Sequence, residues 1–247
     1  MKVFLAGVDR LSFLPLLWNN GARRILINYW DWRNRFHKLI PELQKYNFEV
    51  LLDSGAYVKA AKINVKDYAE FLGKYKDYFC GYFNLDSLYA DDNVAVSMDN
   101  QEYLESQGLT PIPVYHFGEP IEVLHELLHS HSHIGIGGCA RKSSNTVDAW
   151  LKTLELHRYS WVQWHVLGIT AKSVLENNPS ITSVDSTKWL VGRRFGMLVN
   201  ESGVGQTPSK LGNDEMTKIN IEWHLKLEVL LHQSKGIPMP SVFPKVS

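Results

Sequence analysis

Residues 133–169 read HIGIGGCARKSSNTVDAWLKTLELHRYSWVQWHVLGI. The short apolar runs at 133–138 and 161–169 end in glycine-rich or polar turns, which is typical of buried strands. Between them, residues 146–157 have the apolar spacing of an amphipathic helix. A strand, a helix and a second strand in this order predict a parallel crossover unit.

The same alternation extends to both sides of this unit. Further runs of apolar, β-branched or aromatic residues predict strands at 2–8, 24–30, 49–55, 81–86, 111–117 and 181–186. Helical spacing recurs at 65–75, 100–108 and 121–130, while 9–23 is shorter and less clearly helical. Eight strands with intervening helices favour an α/β fold in which a parallel sheet closes as a (β/α)₈ TIM barrel.

The competing fold is a doubly wound open sheet. That fold is expected to place a Gly-rich phosphate loop after the first strand, and VFLAGVDRLS (3–12) has no GxGxxG motif. The length of 247 residues is ordinary for one barrel, and 45% hydrophobic residues supply a large core. We therefore expect a single barrel domain over 1–235, followed by an extended, Pro-punctuated tail over 236–247.

The pattern changes after about residue 197. Residues 202–213 (SGVGQTPSKLGN) are predicted to form a loop, and 214–232 the eighth barrel helix. The core face of this helix is predicted to carry Ile219, Trp223, Leu227 and Leu230.

Charge and cysteine content exclude several classes of site. Lys plus Arg and Asp plus Glu both number 26, so the formal net charge is zero and a globally basic surface is excluded. Cys80 and Cys139 form no CxxC pair, so neither a zinc knuckle nor a disulfide framework is predicted.

Charges interrupt residues 1–18 too often for a signal peptide, and no run reaches the ~20 apolar residues of a membrane span. We expect a cytoplasmic protein.

Polar residues are concentrated at the predicted carboxyl ends of the strands. These residues are Asp53, Asp86, His116, Gly137, Gly138 and Asp185. The strand ends of a barrel meet at one mouth, from which reactive groups project. A single Asp after a strand is at least as often a helix cap. Three converging carboxylates repel one another and lose hydration, so the whole set indicates chemistry or ligand binding.

Four motifs in this order resemble the tRNA-guanine transglycosylases. DSGAY (53–57) resembles their DSGGF or DSGGY motif, HIGIGG (133–138) their xAIGG segment, and WHVLGI (164–169) their YLMGVG segment. VDSTKWLVGRRFG (184–196) resembles the stretch from their nucleophilic Asp to a GRNG-type turn. The similarity covers residues 1–196 and implies the same barrel fold and a pentosyltransferase activity.

The resemblance implies two catalytic residues. Asp185 would be the nucleophile that attacks C1′ of the sugar and expels guanine, and Asp53 the general acid/base for the departing and incoming bases. Breaking a glycosidic bond creates oxocarbenium-like charge, which a carboxylate can stabilise before it forms a covalent bond. Two displacements at one carbon retain the configuration that base exchange requires.

The resemblance also implies a set of residues that bind the base. They are Asp86, His116, Gly137, Gly138, Tyr57 and Leu167. Asp86 would read the purine N1–H and exocyclic amine, and His116 stands where the family usually has Gln. The two glycine N–H groups would hold the carbonyl oxygen of the base, and the tyrosine and leucine would sandwich its ring. The target nucleotide must be flipped out to reach such a pocket.

The chain departs from the family in its metal site. The CxCxxC cluster and distant His that bind zinc in the family are missing, and no cofactor is implied. HELLH (125–129) matches the HExxH pattern of zinc proteases, but it lies on the predicted outer helix between strands five and six, so no metal is predicted. The compact, zinc-free form is similar to phage-type relatives that insert 7-deazaguanines into DNA.

That similarity favours DNA over tRNA as the polymer and a free 7-deazaguanine such as preQ0 as the incoming base. It also favours the host cytoplasm for a phage-encoded protein, and it leaves a homodimer or a partner protein open. Cationic residues in loops after the strand ends are predicted to hold phosphates. They are Arg141, Lys142, Lys172, Lys188, Arg193 and Arg194.

Two other functions remain open. A barrel enzyme with Asp53 as the acid and Asp185 as the nucleophile would hydrolyse an N-glycoside if water replaced the incoming base. A non-catalytic barrel would bind nucleic acid beside an active partner. The joint presence of Asp53, Asp86 and Asp185 argues against the second, because a binding subunit has no need of a nucleophile.

Overall fold

The computed structural model describes residues 1–57, 62–87, 93–140, 142–201, 205–207 and 210–234. The strands in these ranges are β1 (Lys2–Ala6), β2 (Arg24–Asn28), β3 (Glu49–Asp53), β4 (Gly81–Tyr82), β5 (Val114–His116), β6 (His133–Gly137), β7 (Gln163–Val166), β8 (Ile181–Ser186), β9 (Leu198–Val199) and β10 (Gly205–Gln206). The helices are α1 (Phe13–Asn19), α2 (Tyr29–Trp32), α3 (Phe36–Tyr46), α4 (Val65–Tyr75), α5 (Asn93–Ser106), α6 (Ile121–Ser130), α7 (Ser144–Thr153), α8 (Lys172–Asn177), α9 (Val191–Phe195) and α10 (Asn213–Ser234).

Eight strands form one curled parallel sheet, ordered β4-β3-β2-β1-β8-β7-β6-β5. A parallel bridge between Phe83 and Ile112 joins its two edges. The amide of Ile112 donates to the carbonyl of Tyr82 at 2.7 Å, and the amide of Asn84 to the carbonyl of Ile112 at 2.8 Å. All eight predicted strands are present, and the prediction of a (β/α)₈ barrel is confirmed. The doubly wound alternative is wrong because its sheet has two free edges.

Alternation along the strands separates the barrel interior from the surface that packs on the helices. Phe4 and Ala6 of β1 face the interior, whereas Val3 and Leu5 belong to the apolar clusters beneath the helices. The buried apolar side chains of the interior are Phe4, Ala6, Leu26, Leu51, Phe83, Ile112 and Val114. Gly135 makes room for the Phe83 ring, because a Cβ at residue 135 would lie 3.1 Å from Cε1 of Phe83.

The predicted core face of α10 is only partly correct. Leu227 is buried as predicted, whereas Ile219, Trp223 and Leu230 are half-buried. The buried face includes Met216, Asn220, Ile221, His224, Leu227, Glu228 and Leu231. Apolar spacing missed this face because several of its members are polar.

Specific partners explain why polar residues of α10 are buried. Asn220 Oδ1 accepts a hydrogen bond from the amide of Val199 at 2.8 Å. Glu228 accepts from the amide of Val3 at 3.1 Å and from Arg24 Nη1 at 2.5 Å. These bonds satisfy groups that are costly to bury alone. The bonds of Glu228 also attach α10 to the amino-terminal ends of β1 and β2.

The helix predictions differ from the structure mainly at the ends. The helices predicted at 65–75 and 121–130 coincide with α4 and α6, and the one predicted at 100–108 is the second half of a longer α5. The helix predicted over 146–157 ends before Glu155, which adopts a left-handed φ of 48°. Apolar spacing does not register this change of backbone, so it overestimates the length.

The predicted loop over 202–213 contains a short antiparallel ladder. Gly205–Gln206 pairs with Leu198–Val199, and a two-residue strand is too short to produce a periodic signal. The tail predicted over 236–247 lies outside the described residues. No helix within the described ranges combines the length and apolar character that a membrane crossing requires.

The interior packing yields a stability prediction. Phe83 is fully buried, so Phe83→Ala should lower the free energy of unfolding by about 3–5 kcal/mol through lost burial and a cavity. The matched control is Phe195→Ala, since Phe195 is 67% exposed; it should change the value by less than about 0.5 kcal/mol. Urea denaturation of both variants measures the difference, and equal losses would contradict this packing.

Candidate active site

The carboxyl ends of the eight parallel strands meet at one mouth. Asp53 and His116 are the last residues of β3 and β5, Asp185 is the penultimate residue of β8, and Leu167 directly follows β7. The negative charges of Asp86 and Asp185 both act on the Asp53 carboxyl. The fold therefore brings together the three carboxylates that the sequence places far apart.

Asp53 is the carboxyl most affected by its surroundings. Burial and the negative charges of Asp86 and Asp185 raise its pKa to about 8, against opposing hydrogen bonds from the backbone of Gly55 and Ser54. At neutral pH the Asp53 carboxyl therefore holds a proton. A carboxylic acid in this state can give its proton to a leaving group.

The Asp-Ser-Gly turn after β3 is fixed by close packing. Gly55 has a φ of +82°, and a Cβ there would lie 2.8 Å from Cβ of Trp30. Ser54 Oγ accepts from the amide of Ala56 at 3.3 Å and donates to Asp86 Oδ1 at 3.4 Å. The turn thus requires glycine and links the end of β3 to Asp86.

Asp185 contacts the amide of Gly168 and the ring of His165 through one carboxylate oxygen. Its side chain is buried, and Oδ1 accepts from the amide of Gly168 at 2.9 Å and lies 3.3 Å from His165 Nε2. Among the described residues, none donates a hydrogen bond to Oδ2. Both contacts engage Oδ1, and a carboxylate oxygen without such contacts can act as a nucleophile towards a bound substrate.

His116 forms hydrogen bonds with two acidic side chains. Its Nε2 lies 2.8 Å from Asp86 Oδ2, and its Nδ1 lies 3.0 Å from Glu119 Oε1. Burial lowers the pKa of His116, but the bonds to Asp86 and Glu119 outweigh it and raise the value to about 9. His116 is therefore a cation at neutral pH, and both of its N–H groups are used within the protein. In this arrangement it holds Asp86 in place, while a direct contact with the base stays a prediction.

Glu119 and His165 also lie at this site, and neither was predicted from the sequence. Glu119 lies three residues after His116, in the turn that follows β5, and its carboxylate also accepts from the amide of His116 at 2.8 Å. His165 lies two residues before Leu167, so strand alternation places both on the inner face. That alternation was the available signal for His165; the spacing of Glu119 gave no comparable signal.

The Gly137-Gly138 pair has a structural reason of its own. A Cβ at Gly137 would lie 2.6 Å from Cδ2 of His116, and a Cβ at Gly138 would lie 3.1 Å from the amide of Phe117. Gly138 also has a φ of +74°, which favours glycine. Neighbouring side chain and backbone thus require both glycines, and their contact with a base carbonyl stays a prediction.

Tyr57 and Leu167 differ in exposure. Tyr57 is 51% exposed, and its hydroxyl lies 3.5 Å from Asn28 Nδ2. Burial and the charges of Asp53, Asp31 and Asp185 raise the pKa of Tyr57 to about 12, so the phenol stays protonated. Leu167 is half-buried against the apolar barrel interior. That a base lies between the Tyr57 ring and the Leu167 side chain stays a prediction.

Among the predicted phosphate-binding cations, Arg194 lies close enough to the mouth to affect one of its residues. It is exposed, and its positive charge acts on both Tyr57 and Asp9. Lys188 is half-buried, and burial lowers its pKa. Arg141 lies outside the described residues.

The other predicted cations contact nearby protein groups. Lys172 Nζ lies 2.9 Å from Glu176, and Arg193 Nη1 lies 3.8 Å from Asp214. Lys142 is exposed, with its Nζ 5.0 Å from the ring centroid of Phe117. Surface ion pairs of this kind are weak, so these side chains can still turn towards a phosphate.

The HELLH motif lies away from the mouth. It forms part of α6, and both His125 and His129 are exposed. In the portion of the chain that the structure describes, His, Cys, Asp and Glu side chains form no group of three or more that could hold a metal ion.

Comparison of the chain with protein-family models and with curated proteins finds no match. The resemblance to the tRNA-guanine transglycosylases therefore stays a prediction from four motifs. The observations that bear on function are the (β/α)₈ barrel and the three carboxylates at its mouth, each with different hydrogen-bond partners.

The raised pKa of Asp53 gives a prediction for stability. Because the folded state holds this proton up to about pH 8, the stabilisation from Asp53 is complete below pH 4 and is lost as the pH rises to 8. Asp53→Asn should match wild type at pH 4 and exceed its free energy of unfolding by up to about 5 kcal/mol at pH 8.5, since each pKa unit corresponds to about 1.4 kcal/mol. Denaturation at both pH values tests this, with Asp99→Asn on the exposed side of α5 as the control. A constant difference between Asp53→Asn and wild type across this range would contradict the assignment.

Proposed function

We propose that the protein is a base-exchange transglycosylase, which replaces guanine in a nucleic acid with a 7-deazaguanine through a covalent aspartyl-glycosyl intermediate. The observation that carries the proposal is that two carboxyl groups with different surroundings meet at one mouth. Asp53 holds a proton at neutral pH, whereas Asp185 Oδ1 accepts a hydrogen bond from the amide of Gly168 and contacts the His165 ring. An acid and a nucleophile at a single site match the two needs of glycosidic cleavage.

The first displacement would use both groups. Asp185 Oδ2 attacks C1′ of the target nucleotide, and the bond from C1′ to the base nitrogen breaks with its electron pair leaving on guanine. Asp53 gives its proton to the departing guanine. The product is a sugar esterified to Asp185, with Asp53 now a carboxylate.

The second displacement reverses these roles. The Asp53 carboxylate removes a proton from the ring nitrogen of the incoming base, and that nitrogen attacks C1′. The ester bond to Asp185 breaks, which regenerates both side chains in their starting states. Two inversions at C1′ retain the configuration of the nucleotide.

The remaining mouth residues fit a planar base. The exposed Tyr57 ring offers a surface for stacking, and Asp86 offers a carboxylate to the N–H groups of a purine. His116 and Ser54 hold that carboxylate in position. DNA is favoured over tRNA because the chain lacks the zinc cluster of the tRNA-acting family.

The decisive experiment follows labelled guanine into duplex DNA, single-stranded DNA and tRNA. We expect wild-type protein to incorporate label into DNA. The rate of incorporation should fall more than about a thousand-fold in Asp185→Asn, because the covalent nucleophile is removed. The variant should stay folded, because the amide oxygen of Asn can accept the hydrogen bonds from Gly168 and His165. Asp53→Asn should still trap some covalent intermediate, and Asp99→Asn should behave as wild type.

Each other outcome points to a different function. Release of guanine without incorporation of label would indicate an N-glycoside hydrolase. Binding of nucleic acid without either reaction would indicate a non-catalytic barrel. Full activity of a folded Asp185→Asn would remove the covalent mechanism.

Arg194 provides a test of the nucleic-acid surface. We expect Arg194→Ala to weaken binding uniformly across sequences and to reduce the slope of log affinity against log salt by about 1, as for the loss of one phosphate contact. The control is Arg158→Ala, at an exposed arginine that precedes β7 at the opposite end of the barrel. Titration of a labelled DNA duplex at several salt concentrations measures both slopes, and equal slopes for the two variants would contradict this surface.

A further inference from the structure

His165 is a fully buried histidine inside the barrel. Its ring centroid lies 5.1 Å from that of Phe83 and 6.1 Å from that of Phe4. A polar ring in such surroundings needs hydrogen-bond partners. Both partners of His165 come from β8: Ser183 Oγ lies 2.9 Å from Nδ1, and Asp185 Oδ1 lies 3.3 Å from Nε2.

A β-bulge creates this arrangement. Trp164 pairs with Ile181, but the next residue, His165, pairs with Ser183, so Thr182 is the extra residue on β8. Thr182 Oγ1 donates to the carbonyl of Trp164 at 2.9 Å, which supports the bulge. Bulges re-aim side chains and occur often beside active sites.

The bulge decides which way Asp185 faces. With a regular register, His165 would pair with Thr182, and every later residue of β8 would shift by one position. A shift of one residue moves each side chain to the opposite face of the sheet, so Asp185 would face the helices. Ile181 and Val184 are both buried beneath the helices although they are three positions apart, as the bulge requires.

We propose that His165 and Ser183 are positioning residues that hold the Asp185 carboxylate for attack, an inference that rests on the proposed transglycosylase function. His165 Nε2–H donates to Asp185 Oδ1, and the Ser183 hydroxyl donates to Nδ1. This bond from Ser183 fixes the tautomer that carries its proton on Nε2. Oδ1 is thereby occupied, and Oδ2 is the oxygen that attacks C1′.

His165 acts through Asp185 and not on the base. It has no exposed surface, and it pairs with Ser183, one inner layer deeper in the barrel than Asp185. The removal of its N–H should therefore reduce the rate of attack and leave the affinity for the base and the polymer almost unchanged. Asp53, at the mouth, retains the role of acid and base.

The kinetic test uses three variants in the exchange assay. His165→Leu should lower kcat by about ten- to hundred-fold with KM for base and polymer within about three-fold, as expected for loss of one bond to a charged group. His165→Gln should recover much of this loss, because its amide Nε2–H can reach the same carboxylate oxygen. Ser183→Ala should lower kcat by a few-fold, since it removes only the bond that selects the tautomer.

A second measurement is independent of activity. Long-range ¹H–¹⁵N correlation spectra of the protein labelled on histidine should show His165 as the Nε2–H tautomer in wild type and a mixture of tautomers in Ser183→Ala. If wild type exchanges no base, the proposed function fails while the spectrum still tests the hydrogen bonds. An Nδ1–H tautomer in wild type would overturn the inference, as would a folded His165→Leu with wild-type kcat. If His165→Leu does not fold, wild-type kcat in both His165→Gln and Ser183→Ala would overturn it.

Discussion

The barrel is closed by one short stretch of parallel pairing between the residues just after β4 and those just before β5. Phe83 and Ile112 form the bridge that joins the two edges of the sheet, and the Phe83 ring also fills the interior against Gly135. Closure matters for function because it arranges all eight strand ends around one mouth. Asp53 and Asp185 lie far apart in sequence, but both therefore lie at this mouth, where the charge of one acts on the other.

Three carboxylates can share this mouth because each has different partners. Asp86 faces the cationic His116, and Asp185 accepts from the amide of Gly168 and contacts His165. Asp53 holds a proton because burial and the two charges beside it raise its pKa. Environments that push neighbouring acids apart in protonation are the usual basis for dividing acid and nucleophile roles. The three residues are chemically identical, so the differences in their surroundings follow from burial, neighbouring charges and hydrogen bonding.

Sequence patterns predicted the strands and helices better than they predicted which face of a helix is buried. Strand runs separated by amphipathic segments were sufficient for the barrel, because burial on both faces of a parallel strand leaves a strong apolar signal. The buried face of α10 could not be predicted from apolar spacing, because it includes Asn220 and Glu228, which bond to Val199 and Val3. The partners of a polar residue lie far along the chain, and local periodicity carries no information about them.

The sequence by itself determined the fold class, the eight strands and the positions of Asp53, Asp86, His116 and Asp185 at their ends. Only the tertiary structure decided which hydrogen-bond partners each of these groups has. The bulge at Thr182 turns Asp185 towards the mouth, where His165 and Gly168 can reach it. The physical reason is that a strand signal follows from burial summed over several residues, whereas register, hydrogen-bond partners and proton affinity depend on atoms brought together from distant parts of the chain.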